Sequence, residues 1–381
     1  MLYRTFGKLD WKPSALGFGM MRLPLTGGSS TEVDEAEATR MLYYAIDHGV
    51  NYVDTAYFYH GGNSERFLGK ALQGSYRERV KLVTKLPSPL VKAAADFDRF
   101  LEEQMERLQT EHIDLYLLHT LDKNKWSLLE RLKVLNWAEK AIADGRIGHL
   151  GFSFHDDYAT FQRIVDSYDN WAMCQIQYNY LDTDYQAGTR GLKYAASKGL
   201  AVVVMEPIRG GRLAQNIPPA IQAMWDQAPV QRTPAEWALQ WVWNQPEVSL
   251  LLSGMTTYEQ VVENVTSAGR SAPNSLTPAE LAVIDQVRAR YQEWCPIPCT
   301  GCSYCMPCPQ GVSIPRILAM YNDAMVHGDP HAARGSYSWL ADDEKANRCI
   351  ECGECLEKCP QQIEIPDWLA KAHAMLRPQE T

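Results

Sequence analysis

Cysteine is almost missing from the first 294 residues, which hold only Cys174. Long apolar runs are missing as well. The stretch Leu-Ala-Val-Val-Val-Met at 200–205 falls far short of the roughly 20 residues a bilayer-spanning helix needs. No basic run occurs and the formal net charge is -9, which argues against nucleic acid and against an anionic membrane surface. The opening residues lack the charged and apolar regions of a secretory signal. The segment "GFGMMR" at 17–22 is not the glycine-rich phosphate loop that an open doubly wound sheet would carry there. The expectation is a cytoplasmic protein acting on a small polar substrate, in a reducing compartment where dense thiols serve metal rather than disulfides.

What is present in that cysteine-poor stretch is an alternation. "EATRMLYYAIDHG" leads into "VNYVDTA", "LLERLKVLNWAEKAIADG" into "IGHLGFSF", and "GLKYAASKG" into "LAVVVME". Each unit is an amphipathic helix, a glycine able to take the left-handed conformation that ends a helix, and a short apolar strand. Strands read as "SALGFG", "NYVDT", "VKLVTK", "DLYLLH", "HLGFS", "CQIQ", "AVVVM" and "SLLLSG" make eight. Eight strand–helix units predict a (β/α)8 barrel of the α/β class, with the active site on the loops after the strand C-termini. One more helix, "TPAELAVIDQVRARYQEW", opens on a Thr cap and a Pro at the first helical position. Composition then turns to Cys and Pro, which sets the expected boundary: a barrel at 1–294 and a separate small domain at 295–381.

Polar residues at neighbouring strand ends should face one pocket. Strand two ends in Asp54, with Tyr59 in the following loop; strand three ends in Lys85 and strand four in His119. Singly, each has a bland reading as a cap, a solvated amine, a loop aromatic or a core histidine. Together they suit carbonyl reduction. The developing alkoxide needs a proton donor, and a phenol of pKa near 10 serves only when a cation lowers it. Lys85, held by Asp54, is that cation, and His119 orients the substrate oxygen.

"DTAYFYHGGNSERFLGKAL", "VTK", "DLYLLH", "GFSFHD", "QIQYN" and "GMTTYEQVVEN" resemble the aldo/keto reductase superfamily, and the tail resembles its branch with a ferredoxin-type iron–sulfur domain. The resemblance implies a catalytic tetrad of Asp54, Tyr59, Lys85 and His119, with Tyr59 as general acid. It implies NADP(H) or NAD(H) extended across the barrel mouth, with Ser153 and Gln175 near the carboxamide and Glu263 and Asn264 near the adenine. Further cofactor contacts are expected from Gly19, Met20, Asp54, Met205, Ser253, Gly254, Met255 and Gln260. Arg209, Gly210 and Gly211 are expected at the pyrophosphate, the alternative for that segment being a glycine hinge with solvated arginines. The chain departs from the family in having Phe154 after Ser153 and Met205 where an aromatic often stands. Gly254 and Gln260 replace the cations that favour a 2'-phosphate, so NADH and NADPH stay open.

The remaining nine cysteines fall between Cys295 and Cys359. Cys299, Cys302 and Cys305 match Cys349, Cys352 and Cys355 at an offset of 50, and "CPQGVSIP" matches "CPQQIEIP" at an offset of 51. The second segment is C-x2-C-x2-C-x3-C-P, in which three thiolates hold one 4Fe-4S cluster and the fourth reaches the other. Two clusters are expected, one on Cys299, Cys302, Cys305 and Cys359 and one on Cys349, Cys352, Cys355 and Cys308. The first segment is one residue short before Cys308, which leaves Cys295 as the substitute. Structural zinc competes with this reading, but it gains nothing from the trailing Pro or from a duplicated three-plus-one pattern. The helical period of "PRILAMYNDAMVHG" suggests an α-helical ferredoxin-like fold.

The leading functional expectation is an enzyme interconverting an aldehyde or ketone with its alcohol. The alternative is an electron-transfer protein with a redox partner, in which the clusters act. A regulatory protein with a dead barrel sits poorly with an intact tetrad.

Overall fold

The computed structural model describes residues 1–29, 31–327 and 330–377. Packing divides the chain into two compact units, Met1–Pro207 with Ala238–Leu276, and Ile208–Trp237 with Thr277–Thr381.

The first unit contains a closed eight-stranded barrel in sequence order. Its strands are β1 (Leu16–Gly19), β2 (Tyr52–Asp54), β3 (Lys81–Leu86), β4 (Ile113–Leu121), β5 (Ile147–Phe154), β6 (Met173–Gln177), β7 (Ala201–Met205) and β8 (Val248–Gly254). All neighbours are parallel, and β8 pairs with β1 to close the ring. The chain reverses between helices and strands at Gly49, Gly145 and Gly199, each with positive φ. Tyr52, Leu115, Met173, Ala201 and Leu250, from early in their strands, pack in one apolar cluster with Phe6. That packing fills the end where the strands begin, so polar side chains collect where they finish.

One irregularity interrupts the sheet. Leu118 pairs with Phe152 and Leu121 with Phe154, which leaves His119 and Thr120 opposite Ser153 alone. Thr120 takes a φ of 52°, a left-handed conformation that is costly for a β-branched residue.

In the second unit the helix Pro278–Trp294 begins with a reciprocal cap between Thr277 and Glu280. The helices Ile314–His327, Pro330–Ser338 and Ile365–Leu376 enclose a core that includes Val312, Ile317, Leu318, Leu340 and Leu369. The Tyr337 hydroxyl accepts from the Ala346 amide at 2.9 Å and pairs with Nδ1 of His373 at 2.8 Å. Between these helices the duplicated cysteine segments share one backbone course. Gly301 and Glu351 both have positive φ, as do Ser303 and Gly353, and Gly311 and Gln362. Equivalent hydrogen bonds recur, from Met306 to Ser303 and Leu356 to Gly353, and from Gly311 to Cys308 and Gln362 to Cys359. Within "GDPHAARGSYSWL", Gly328 and Asp329 lie outside the described residues. Among the described residues no helix is long and apolar enough to cross a membrane.

Candidate active site and thiol clusters

β2 ends on Asp54 and β3 carries Lys85 one residue before its end. The Lys85 amine donates to Asp54 Oδ1 at 2.5 Å and to the Thr55 carbonyl at 2.7 Å. Neither side chain is appreciably exposed. Burial lowers the pKa of Lys85 and raises that of Asp54, and each effect is opposed by the other partner's charge. A left-handed run at His60, Gly61 and Gly62 forms the turn that begins with Tyr59. It leaves the Tyr59 ring centroid 5.2 Å from the Lys85 amine. His119 stands edge-on to that ring, with centroids 6.3 Å apart. Burial, and then the Lys85 charge, hold the His119 pKa well below the ordinary imidazole value, which favours the uncharged ring. Among the described residues its Nδ1 has no partner. The structure thus brings all four tetrad candidates together at one end of the barrel.

The candidates for the cofactor ring surround the next strand ends. Ser153, on β5, accepts the Thr120 amide at 2.8 Å through Oγ, which leaves its hydroxyl hydrogen to donate. Gln175, on β6, directs its amide toward Met205 Sδ at 3.8 Å, while its buried Oε1 has no partner among the described residues. A buried carbonyl oxygen left unmet is costly unless a ligand or water satisfies it. The residues fit a planar carboxamide, which both donates and accepts.

At the ends of β1 and β8 the backbones approach closely, because a Cβ on Gly19 would lie 3.2 Å from the Ser253 carbonyl oxygen. Met20 and Met255 are buried. Asn264 donates to Ser253 Oγ at 3.0 Å, and Gln260 Oε1 accepts the Thr256 amide at 2.8 Å, so both brace the loop. Glu263 lies on the same helix, Tyr258–Ala268. Sequence reasoning missed Arg22. A Cβ on Gly254 would meet the Arg22 stem at 3.2 Å, and the Thr256 hydroxyl bonds the Arg22 carbonyl at 3.0 Å. Arg22 Nη2 is buried without a partner among the described residues. The loop that lacks its own cation therefore has one from the turn after β1. Arg209, Gly210 and Gly211 belong to the second unit, where they form a short turn with positive φ at all three.

A second missed group lies beneath the tetrad. Glu65, fully buried, accepts from Thr84 at 2.7 Å and Gln104 at 2.6 Å and pairs with Arg107 at 3.2 Å. Gln104 also donates to the Lys85 carbonyl at 3.0 Å. The one signal for it was that Glu65 precedes Phe67 and Leu68 on a helix whose buried face it shares.

The thiols fall into two sets. Burial, and then the nearby thiols of Cys302, Cys299 and Cys359, push Cys305 up to about 12. Burial raises Cys355 too, and the thiols around it are Cys349, Cys352 and Cys308. Cys308, Cys349, Cys352 and Cys355 also line a common hollow, which Cys305 of the first set borders as well. Cys295 faces Arg209, Arg212 and Asp323 instead. Cover differs between the repeats: Thr300 is 3% exposed while its counterpart Ile350 is 63% exposed, and Cys352 is exposed where Cys302 is half-buried. Among the described residues no three ligands converge on a point where a single ion would sit. A cubane spreads its thiolates over four iron corners. Cys174 is buried and its thiol is raised by burial.

The family model described as the aldo/keto reductase family matches residues 15–289, and the model for a 4Fe-4S dicluster domain matches residues 298–364. The chain is 26% identical over 287 residues to L-galactose dehydrogenase of Arabidopsis thaliana, covering 69% of this chain and 87% of that one. It is 26% identical over 283 residues to 6-dehydroglucose reductase of Novosphingobium aromaticivorans, covering 68% and 88%. The holo form of an aldo-keto reductase from Bacillus halodurans superposes with a TM-score of 0.62 at 26% identity, over 75% of this chain and 96% of that one.

Proposed function

The chain belongs to the aldo/keto reductase family, as an oxidoreductase with a fused 4Fe-4S dicluster domain, and we propose that it interconverts an aldehyde or ketone with its alcohol using NADPH or NADH. The observation that supports this most is the buried Lys85 amine, held by Asp54 and set 5.2 Å from the Tyr59 ring. An ammonium in that position favours phenolate and so makes Tyr59 a better acid. Tyr59 delivers the proton to the substrate oxygen in reduction and recovers it in oxidation. His119, being neutral, donates a hydrogen bond to that oxygen without competing for the proton.

A bound nicotinamide supplies the hydride. In this reading Ser153 and Gln175 hold its carboxamide, and Met205 packs on the ring as a polarisable thioether. Gly19, Met20, Ser253, Gly254 and Met255 shape the channel, Gln260 and Asn264 brace it, and Glu263 meets the adenine. Arg22 places a guanidinium where a 2'-phosphate would be read, which inclines the choice toward NADPH. We assign the catalytic barrel to 1–294 and the iron–sulfur domain to 295–381. The two thiol sets are assigned as ligands: Cys299, Cys302, Cys305 and Cys359 for one cluster, and Cys349, Cys352, Cys355 and Cys308 for the other. The activities for which L-galactose dehydrogenase and 6-dehydroglucose reductase are named make small hydroxy-aldehydes the first substrates to try.

The test is Tyr59→Phe, assayed by aldehyde-dependent oxidation of NADPH and, separately, by cofactor quenching of tryptophan fluorescence. Turnover should vanish while quenching persists. Turnover that survives removes Tyr59 as the acid. The second reading, electron transfer with a redox partner, is favoured by the two sets of thiols. It predicts that NADH or NADPH bleaches the visible absorbance of the anaerobic protein, and an unchanged spectrum counts against it.

A further inference from the structure

Consecutive side chains of a regular strand point to opposite faces. At His119 that alternation fails, because His119 and Thr120 together oppose Ser153. Bulges of this kind re-aim a side chain beside a site. This one is held in an unfavourable conformation, since Thr120 has a φ of 52° without being glycine. Such strain persists only where the surroundings impose it. At this residue the Thr120 amide donates to Ser153 Oγ at 2.8 Å, and that serine is only 1% exposed. Pairing resumes at once beyond the bulge, where the His155 amide donates to the Leu121 carbonyl at 2.9 Å.

We propose that Ser153 is a positioning residue for His119: its oxygen anchors the strained bulge that aims the imidazole, while its hydroxyl hydrogen stays available to the cofactor carboxamide. A hydroxyl accepts one bond and donates another, so the placement of the ring amide and the placement of the oxygen-binding histidine share a single atom. Removing the hydroxyl should disturb both. A glycine at position 120 should separate them, because glycine adopts positive φ at little steric cost and needs no anchor. The kinetic side of the proposal rests on the reductase reading above; the structural side does not.

The test uses the full chain with Ser153→Ala, Ser153→Thr, and the double variant Ser153→Ala with Thr120→Gly. In the cofactor-free protein the His119 imidazole resonance, assigned by its loss in His119→Gln, should shift in Ser153→Ala and return in the other two. With NADPH as probe, Ser153→Ala should lower kcat and weaken the cofactor Kd, each on the order of tenfold. Ser153→Thr should rescue both. The double variant should recover kcat but keep the weakened Kd, a split that a general loss of stability would not produce. A Ser153→Ala protein with weakened Kd but an unmoved His119 resonance and unchanged kcat would reduce Ser153 to a cofactor contact and overturn the proposal. So would a double variant that recovers nothing. If the wild-type chain turns over no carbonyl substrate, the reductase reading fails, and the imidazole resonances alone still decide the role of Ser153.

Discussion

Lys85 donates to Asp54 across 2.5 Å in a place where neither side chain meets solvent. The geometry satisfies the ammonium twice, through the Asp54 carboxylate and the Thr55 carbonyl. It leaves Asp54 Oδ2 without a partner among the described residues. Removing either partner leaves the other charge buried and unpaired.

Lys85→Met should therefore lower kcat by about 10²–10⁴-fold through loss of the cation beside Tyr59. It should also cost about 3–5 kcal/mol of stability, because Asp54 is left charged and buried. Adding Asp54→Leu should restore most of the stability and none of the activity. Urea denaturation beside steady-state kinetics separates the two effects, and a stable single variant would show that the carboxylate tolerates isolation.

Arg22→Ala should weaken NADPH binding about tenfold, the worth of one charge-assisted contact. NADH should be affected much less. Fluorescence titrations with both cofactors give the ratio. Equal losses for the two would move Arg22 from the 2'-phosphate to the pyrophosphate.

Acid should weaken the fold through two imidazoles. The pKa of His155 is lowered to about 4, first by burial and then by the Lys125 charge, and that of His119 lies well below 6.5. The unfolded chain then binds more protons than the folded one below pH 6.5, so stability falls as pH drops from 6.5 toward 4. For His155 the full effect is roughly 3 kcal/mol. Urea midpoints at pH 7.5 and 5.0 should separate less in His155→Gln than in the wild type. A neutral His119 also means that the acid limb of kcat/KM near pH 6.5 should not be its titration.

Cys308→Ala should lose about half of the bound iron, because it removes a ligand from one of two cubanes. Cys295→Ala should retain it all, since that thiol faces Arg209 and Arg212. Iron and zinc counts on anaerobically purified protein read both outcomes. Zinc in place of iron would overturn the cluster assignment.

The barrel was legible because its strands are apolar almost throughout and its helices end on glycine, so local chemistry and global fold agree. The convergence of Asp54, Tyr59, Lys85 and His119 was legible for a related reason: a strand end is a fixed address, and the four residues stand at or just beyond such ends. The bulge was not legible, because the residue that needs positive φ is Thr120 rather than a glycine. Glu65 and Arg22 were hidden because a lone charge reads as solvated until its neighbours in space are known. The cysteine repeat announced two sets of thiols through its spacing, yet only coordinates separate Cys308, beside Cys355, from Cys295. The composition change after residue 294 marks where thiols begin, whereas packing groups 208–237 with 277–381. Composition reports what a segment is made of and not what it packs upon.

The unequal cover of the two cysteine repeats gives the tail a sheltered half and a weathered half. Water-borne reagents arrive first where Ile350 and Cys352 stand in the open, and last where Thr300 and Cys299 are roofed over. An alkylating agent applied to the metal-free chain should mark Cys352 long before Cys299. Damage by oxygen or a chelator should likewise proceed in two stages, with the outer half spent while the inner half still holds the helices together.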